Sequence, residues 1–140
     1  MRLKPKAARR LLLVGVLAIL AVTAVVMLVV VRSWMNERRT QQLRTDGMAA
    51  YDAGDYMRAQ ENLFKFLRRT PTDREAWLKL AESFERVEKS QGKHLGQAAQ
   101  AYARAWAIDD TDVKTGAALL KLYVQIDQAV EARDLAMMLR

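Results

Sequence analysis

The chain has 140 residues, no cysteine, one histidine and a formal net charge of +7. That length holds one domain and an appendage, and the missing cysteines exclude a disulfide framework and thiolate metal sites while leaving the redox compartment open. The basic excess belongs to the first third: residues 1–44 carry nine Lys or Arg against one acid, Glu37, whereas residues 45–140 carry fourteen bases against fifteen acids. A nucleic-acid surface needs a basic stripe on the folded part, and none is present there.

Residues 1–10 form a basic tail with Arg2, Lys4, Lys6, Arg9 and Arg10. Leu11 to Val31 then run without a charge as LLLVGVLAILAVTAVVMLVVV. At ~1.5 Å per residue this segment makes a helix of about 31 Å, the thickness of a hydrocarbon core of roughly 30 Å. Arg10 and Arg32 bracket it, and either would cost ~3 kcal/mol at the bilayer centre. Trp34 stands where an interfacial aromatic is expected. A cleaved signal peptide would have a shorter apolar region and a small-residue cleavage site, and VVVRSWMN offers none. Residues 11–31 are therefore expected to be a single-pass transmembrane helix. Gly15, Ala18, Ala21 and Ala24 are spaced by three, drift round the helix and make no GxxxG pair. Five bases precede the span and Arg32, Arg38, Arg39 and Arg44 follow it. A short tail with five bases is costly to translocate, so the expected topology has the N-terminus in the cytoplasm and the rest outside, in a bacterium the periplasm.

Residues 32–39 read as a polar helical stalk. No Gly or Pro lies between Ser33 and Asp46, so the apolar helix is expected to run on into the next element.

From residue 40 the pattern changes to paired amphipathic helices. GMAAYDAGDYMRAQENLFKFLRRTPTD places Gly47 and Tyr51 on one helix, a break at Gly54-Asp55-Tyr56, then Ala59, Leu63 and Pro71. Small residues at Gly47 and Ala59 let two helices cross closely. Gly54 ends the first because it takes the left-handed cap conformation freely. Pro71 is expected to stop the second, and Thr72 with Glu75 to form a capping box for a third. REAWLKLAESFERV supplies Trp77, Leu80, Ala81 and Phe84, and QAAQAYARAWAIDD supplies Ala98, Tyr102 and Ala105. This spacing resembles the tetratricopeptide repeat, an antiparallel helix pair of about 34 residues.

The resemblance covers residues 40–140 and implies an all-α architecture: an N-terminal transmembrane helix followed by an α-solenoid of antiparallel helix pairs. The repeats are expected at about 40–73, at 74–112 with a five-residue insertion around EKSQGKHLG, and at 113–140, incomplete. The insertion carries Lys89, Lys93 and His94 and reads as a solvated loop. Asp110 stands where the family has proline. The third unit offers Leu119, Leu120, Tyr123, Ala132 and Ala136 but no Gly-Asp turn, and Asp109-Asp110-Thr111-Asp112 reads as an inter-repeat turn with a threonine cap. Its last helix would present Leu135, Met138 and Leu139 to a following element or a partner, because repeats bury their apolar faces only against neighbours.

Nothing in the sequence forms a catalytic constellation. One histidine and no cysteine exclude most metal clusters and nucleophile–base pairs, the glycines make no phosphate loop, and the aspartates at 109–112 lack the spacing of a calcium loop. No enzyme activity, cofactor or metal is expected. What the resemblance implies is protein binding in a concave groove lined by the first helix of each repeat. Mapped onto this chain, that surface is Gln41, Arg44, Met48, Tyr51 and Asp52, then Glu75, Leu78, Glu82, Glu85 and Arg86, then Lys114, Ala117, Lys121, Val124 and Gln125. The family's carboxylate clamp, built from Lys and Asn, is missing at Arg44 and Met48, Leu78 and Glu82, Ala117 and Lys121. The leading expectation is a membrane-anchored scaffold that holds protein partners in the groove or on the uncapped last helix. Its rivals are a cytosol-facing receptor that takes basic targeting peptides on Glu75, Glu82 and Glu85, and the anchor and first repeats of a longer multidomain protein.

Overall fold

The computed structural model describes residues 5–88 and 92–139, with side chains from Gly15 onward. Among the described residues six helices follow one another: α1 Pro5–Asp52, α2 Tyr56–Leu67, α3 Arg74–Arg86, α4 Lys93–Ile108, α5 Val113–Gln125 and α6 Ala129–Met138. The chain divides into two compact units, Met1–Arg39 and Thr40–Arg140.

The first unit is α1 up to Arg39. Its apolar residues from Val16 to Val31 all lie exposed. Beyond this stretch the guanidinium of Arg38 stacks over the Trp34 ring, 3.7 Å from its centroid.

The second unit is an α-solenoid. Its helices are amphipathic, and each buries one stripe: Ala59, Leu63, Phe66 and Leu67 on α2; Ala76, Leu80, Ala81 and Phe84 on α3; Ala98, Ala101, Tyr102 and Ala105 on α4; Leu119 and Leu122 on α5. This is the i, i+3, i+4 spacing of a helix with one face in a core. α2 packs on α3, α3 on α4, α4 on α5, and α5 on α6. Gly47 of α1 meets Leu63 of α2 so closely that an added Cβ would lie 2.8 Å from the leucine Cγ and Cδ2. The small residue there sets how near the helices of the first pair approach.

The turns after α1 and after α5 share one hydrogen-bond pattern. After α1, Gly54 N–H donates to Tyr51 and Asp55 N–H to Ala50; after α5, Asp127 N–H donates to Val124 and Gln128 N–H to Tyr123. This is the Schellman ending, which needs a left-handed residue just past the helix. Gly54 supplies it at φ +78°, and Asp127 supplies it at φ +59°. The third pair thus makes the same turn without glycine.

The five-residue insertion is shared between a loop and a helix. Residues 53–55 join α1 to α2, whereas residues 87–92 join α3 to α4, three residues more. The other two lengthen the start of α4: Ala98 is its sixth residue, whereas Ala59 is the fourth of α2. Lys93 and His94 therefore belong to the first turn of α4 rather than to the loop, and Lys89 lies outside the described residues.

Several local expectations are corrected. α3 is capped by Asp73, not by Thr72: the Asp73 carboxylate directly precedes the helix and accepts the Ala76 N–H at 2.9 Å. Glu75 is drawn away to Arg44 instead of folding back. Likewise Asp112 caps α5 by accepting the Lys114 N–H at 3.1 Å, while Thr111 is tied to Asp109. α2 ends at Leu67, ahead of Pro71, in keeping with the bias of residues before proline away from helix. In α6 the inward residues are Ala132 and Leu135, and Ala136 is exposed. Leu139 covers Gly116, so the large exposed apolar side chains of that helix are Val130, Met137 and Met138.

Candidate functional site

The first helices of successive repeats are stitched together on one side by polar side chains. Arg44 of α1 donates from Nε to Asp73 and from Nη2 to Glu75, each at 2.6 Å. Two turns further along α1, the Tyr51 hydroxyl donates to Glu82 of α3. Lys79 reaches the same carboxylate oxygen at 3.2 Å, with its ammonium 4.2 Å from the Tyr51 ring centroid. Tyr56 stands edge-on to Tyr51, centroids 5.7 Å apart. Glu85 accepts the Tyr102 hydroxyl at 2.8 Å. Between α3 and α5, Arg74 takes the corresponding place, donating to Asp112 and, at 3.2 Å, to Thr115.

The electrostatics follow from these bonds. The hydrogen bond to Asp73 holds the Arg44 guanidinium above its usual range. Burial, then the bond to Glu82, pushes the Tyr51 phenol up. Burial and then Glu85 push Tyr102 up much further. The Thr115 hydroxyl, followed by Arg74, holds Asp112 below the ordinary carboxylate range.

These contacts distribute the expected groove residues unevenly. Arg44 and Glu75 meet as an ion pair, Tyr51 and Glu82 as a hydrogen bond, and Glu85 is engaged by Tyr102 of the second helix. Met48 and Leu78 are half-buried against the core. Lys121 is exposed on α5. The acidic middle of the surface is thus largely occupied: Glu75 and Glu82 each hold a cation of this same chain.

The expected packing residues lie as follows. Gly47, Ala59, Leu63, Ala81, Phe84, Ala98, Tyr102 and Ala105 are buried. Tyr56 and Trp77 are half-buried, and the indole of Trp77 donates to the Pro71 carbonyl at 2.8 Å. Gly54 is exposed at its turn.

Sequence reasoning did not single out three members of this network. Gln60 is buried and donates to the Ser83 carbonyl at 2.8 Å, satisfying a group in the last turn of α3 that the helix itself leaves short of partners. Arg74 bridges α3 to α5. Lys79 neutralises Glu82. The signal for Gln60 was a polar residue on the apolar stripe of α2, beside Ala59 and Leu63.

A second feature lies where α2, α3 and α4 meet. A cleft of about 230 Å³ is lined by Phe64, Trp77, Leu80, Phe84, Gln97, Gln100, Ala101 and Arg104. Among the described residues no group of three or more His, Cys, Asp or Glu side chains is placed to hold a metal ion.

No protein-family model matches the chain, and no curated protein matches its sequence. Solved structures do match. The chain is similar to MamA with a TM-score of 0.60 at 20% identity, over 72% of this chain and 52% of that one. The CopN–Scc3 complex matches with a TM-score of 0.58 at 19% identity, over 71% and 56%. The TPR2B domain of yeast Sti1, solved as its pHsp70 complex, matches with 0.55 at 14%, over 73% and 78%. The fold is a tetratricopeptide-type helical solenoid. At these identities the likeness shows the fold alone, and the match spans little more than half the length of the first two chains.

Proposed function

We propose that this protein is a single-pass membrane-anchored scaffold, without catalytic activity, whose repeats bind protein partners beside the bilayer. The observation that carries the reading is the exposure of every residue from Val16 to Val31, the described part of the uncharged run that begins at Leu11, in a chain whose remaining helices form a solenoid with a tightly packed core. The uncharged run from Leu11 to Val31, about 31 Å long as a helix, matches a bilayer in both thickness and chemistry. Two of the similar structures are complexes, CopN with Scc3 and Sti1 with pHsp70, which supports a protein ligand for the repeats.

The acidic-groove alternative, a cytosol-facing receptor for basic peptides, is the weaker one. Arg44 already sits on Glu75 and Lys79 on Glu82, so an incoming cation must displace an internal one. A partner that reads Lys121, exposed on α5, and the mixed charge of the surface as a whole suits it better. Exchange of Glu82 and Glu85 for Lys discriminates: loss of basic-peptide binding with helicity unchanged would restore the receptor reading.

The first experiment is topology. A single cysteine at Lys93, exposed in the first turn of α4, is the only thiol in the chain. Labelling of intact cells by a membrane-impermeant maleimide places the repeats outside, as expected here. Protection until lysis places them in the cytoplasm, and full extraction by alkaline carbonate removes the anchor altogether.

A further inference from the structure

The two arginines that flank the stalk share a face with the apolar stretch. At ~100° per residue, Arg32 and Arg39 point within about 20° of each other, with Asn36 between them. Val25, Leu28 and Val29 continue the same stripe towards the apolar end, and together with Arg32, Met35, Asn36 and Arg39 they line one groove along α1. Arg38 points elsewhere, stacked on Trp34, and Glu37, the one acid of this segment, falls on the opposite side of the helix. The stripe is thus apolar over about two turns and cationic over the next two, and among the described residues neither guanidinium has a carboxylate in an ion pair.

We infer that this stripe is a binding site for an anionic phospholipid, whose phosphate lies between Arg32 and Arg39 and whose acyl chain runs along Leu28, Val29 and Val25. The inference rests on the membrane reading above. The guanidinium groups leave α1 about 10 Å apart along the axis, and each side chain is long enough to lean onto one phosphate lying between them, where two charge-assisted forks can form. The match is one of charge and of order: the cationic part begins where the apolar part ends, as headgroup follows acyl chain in a lipid. Basic side chains next to a span attract anionic headgroups, each adding roughly fivefold to the binding. A merely basic flank would draw equally on Arg38, whereas a site formed by one helix face would not.

The test uses the full chain. Flotation with vesicles of phosphatidylcholine alone establishes insertion. Native mass spectrometry of the chain released from bilayers of phosphatidylcholine and phosphatidylglycerol in equal parts then counts the lipids that stay bound. Phosphatidylglycerol adducts are expected to dominate, and Arg32→Gln or Arg39→Gln each to lower that preference about fivefold, while Arg38→Gln leaves it unchanged. Gln is a good helix former, so the helix is kept. Excess glycerol phosphate is expected to displace nothing, since it has no acyl chain for the apolar stripe. Equal effects of all three substitutions, displacement by glycerol phosphate, or retention of both lipids alike would each overturn the site while leaving the anchor intact. Failure to float on any vesicle would overturn the anchor and the site together.

Discussion

Arg44 closes on Asp73 from the preceding repeat while Asp73 caps α3 with its other oxygen. One carboxylate therefore ends a helix and joins two repeats. Arg74 repeats the arrangement on Asp112, the cap of α5, although the donor comes from a different place along its helix. In a solenoid each unit holds only its neighbours, so these caps tie the start of each pair to the pair before it.

The pair should show as a coupling energy. Asp73→Ala removes both the cap and the ion pair and is expected to cost ~2 kcal/mol. With Arg44→Gln in a double-mutant cycle, the coupling is expected near 1 kcal/mol, since both side chains are partly withdrawn from water. Urea unfolding of the full chain in detergent, followed by circular dichroism, measures it. Lys65 and Glu61, an exposed i, i+4 pair, are the control and should show no resolvable coupling. Equal values for the two cycles would mean that the Arg44 contact is an ordinary surface pair.

Glycine substitutions separate close approach from mere helix content. Gly47→Ala puts a methyl group against Leu63, including its backbone nitrogen at 3.2 Å, and is expected to cost ~1–3 kcal/mol through forced separation of α1 and α2. Gly96→Ala on α4 meets nothing within 4 Å and should gain up to ~1 kcal/mol from helix propensity. Thermal midpoints that move in opposite directions satisfy both expectations; a shared direction would refute the packing role of Gly47.

The Schellman turn after α5 carries a strained residue. Asp127 adopts φ +59°, a region that costs a residue with a Cβ roughly 1 kcal/mol. Asp127→Gly should therefore stabilise the chain by up to ~1 kcal/mol, and Gly54→Ala, at φ +78°, should destabilise it by about as much. A destabilised Asp127→Gly would show that the aspartate side chain does something at that turn beyond tolerating its backbone.

These positions show what the sequence could and could not convey. Gly47, Gly54, Ala59 and Leu63 were legible because each answers a local steric demand, and sequence spacing records such demands directly. The turn at Asp127 was not legible, since aspartate only tolerates the left-handed region and many aspartates do not occupy it. The capping residue was misassigned at Thr72 because two adjacent residues can both cap, and Asp73 is also held by Arg44, 29 residues away in sequence. The Ala136 assignment failed for a related reason: α6 packs on α5 as the last described helix, so its buried stripe is narrow and centres on Ala132 and Leu135. The pairing of Glu75 and Glu82 with internal cations depends on which helices lie side by side, and a pattern of single residues does not specify that.

Tyr102 sets the last prediction, a dependence of stability on alkaline pH. Its phenol is 6% exposed and donates to Glu85, so burial first and the carboxylate second raise its folded pKa above the ordinary value. In the unfolded chain a tyrosine loses its proton near pH ~10, while the folded one keeps it. The unfolded state then binds fewer protons, and stability falls as pH rises. The contribution is fully present below pH ~10 and is lost as the pH rises beyond that towards the folded pKa. Tyr102→Phe should cost only ~0.5–1.5 kcal/mol at neutral pH, because Glu85 is exposed and returns to water. It should also flatten the alkaline loss, leaving a residue from Tyr51 and Tyr123, whose phenols are raised by burial too. Urea midpoints of both proteins measured on either side of pH ~10 decide it. Parallel alkaline slopes for the two would remove Tyr102 as the titrating group and shift the effect to the other phenols.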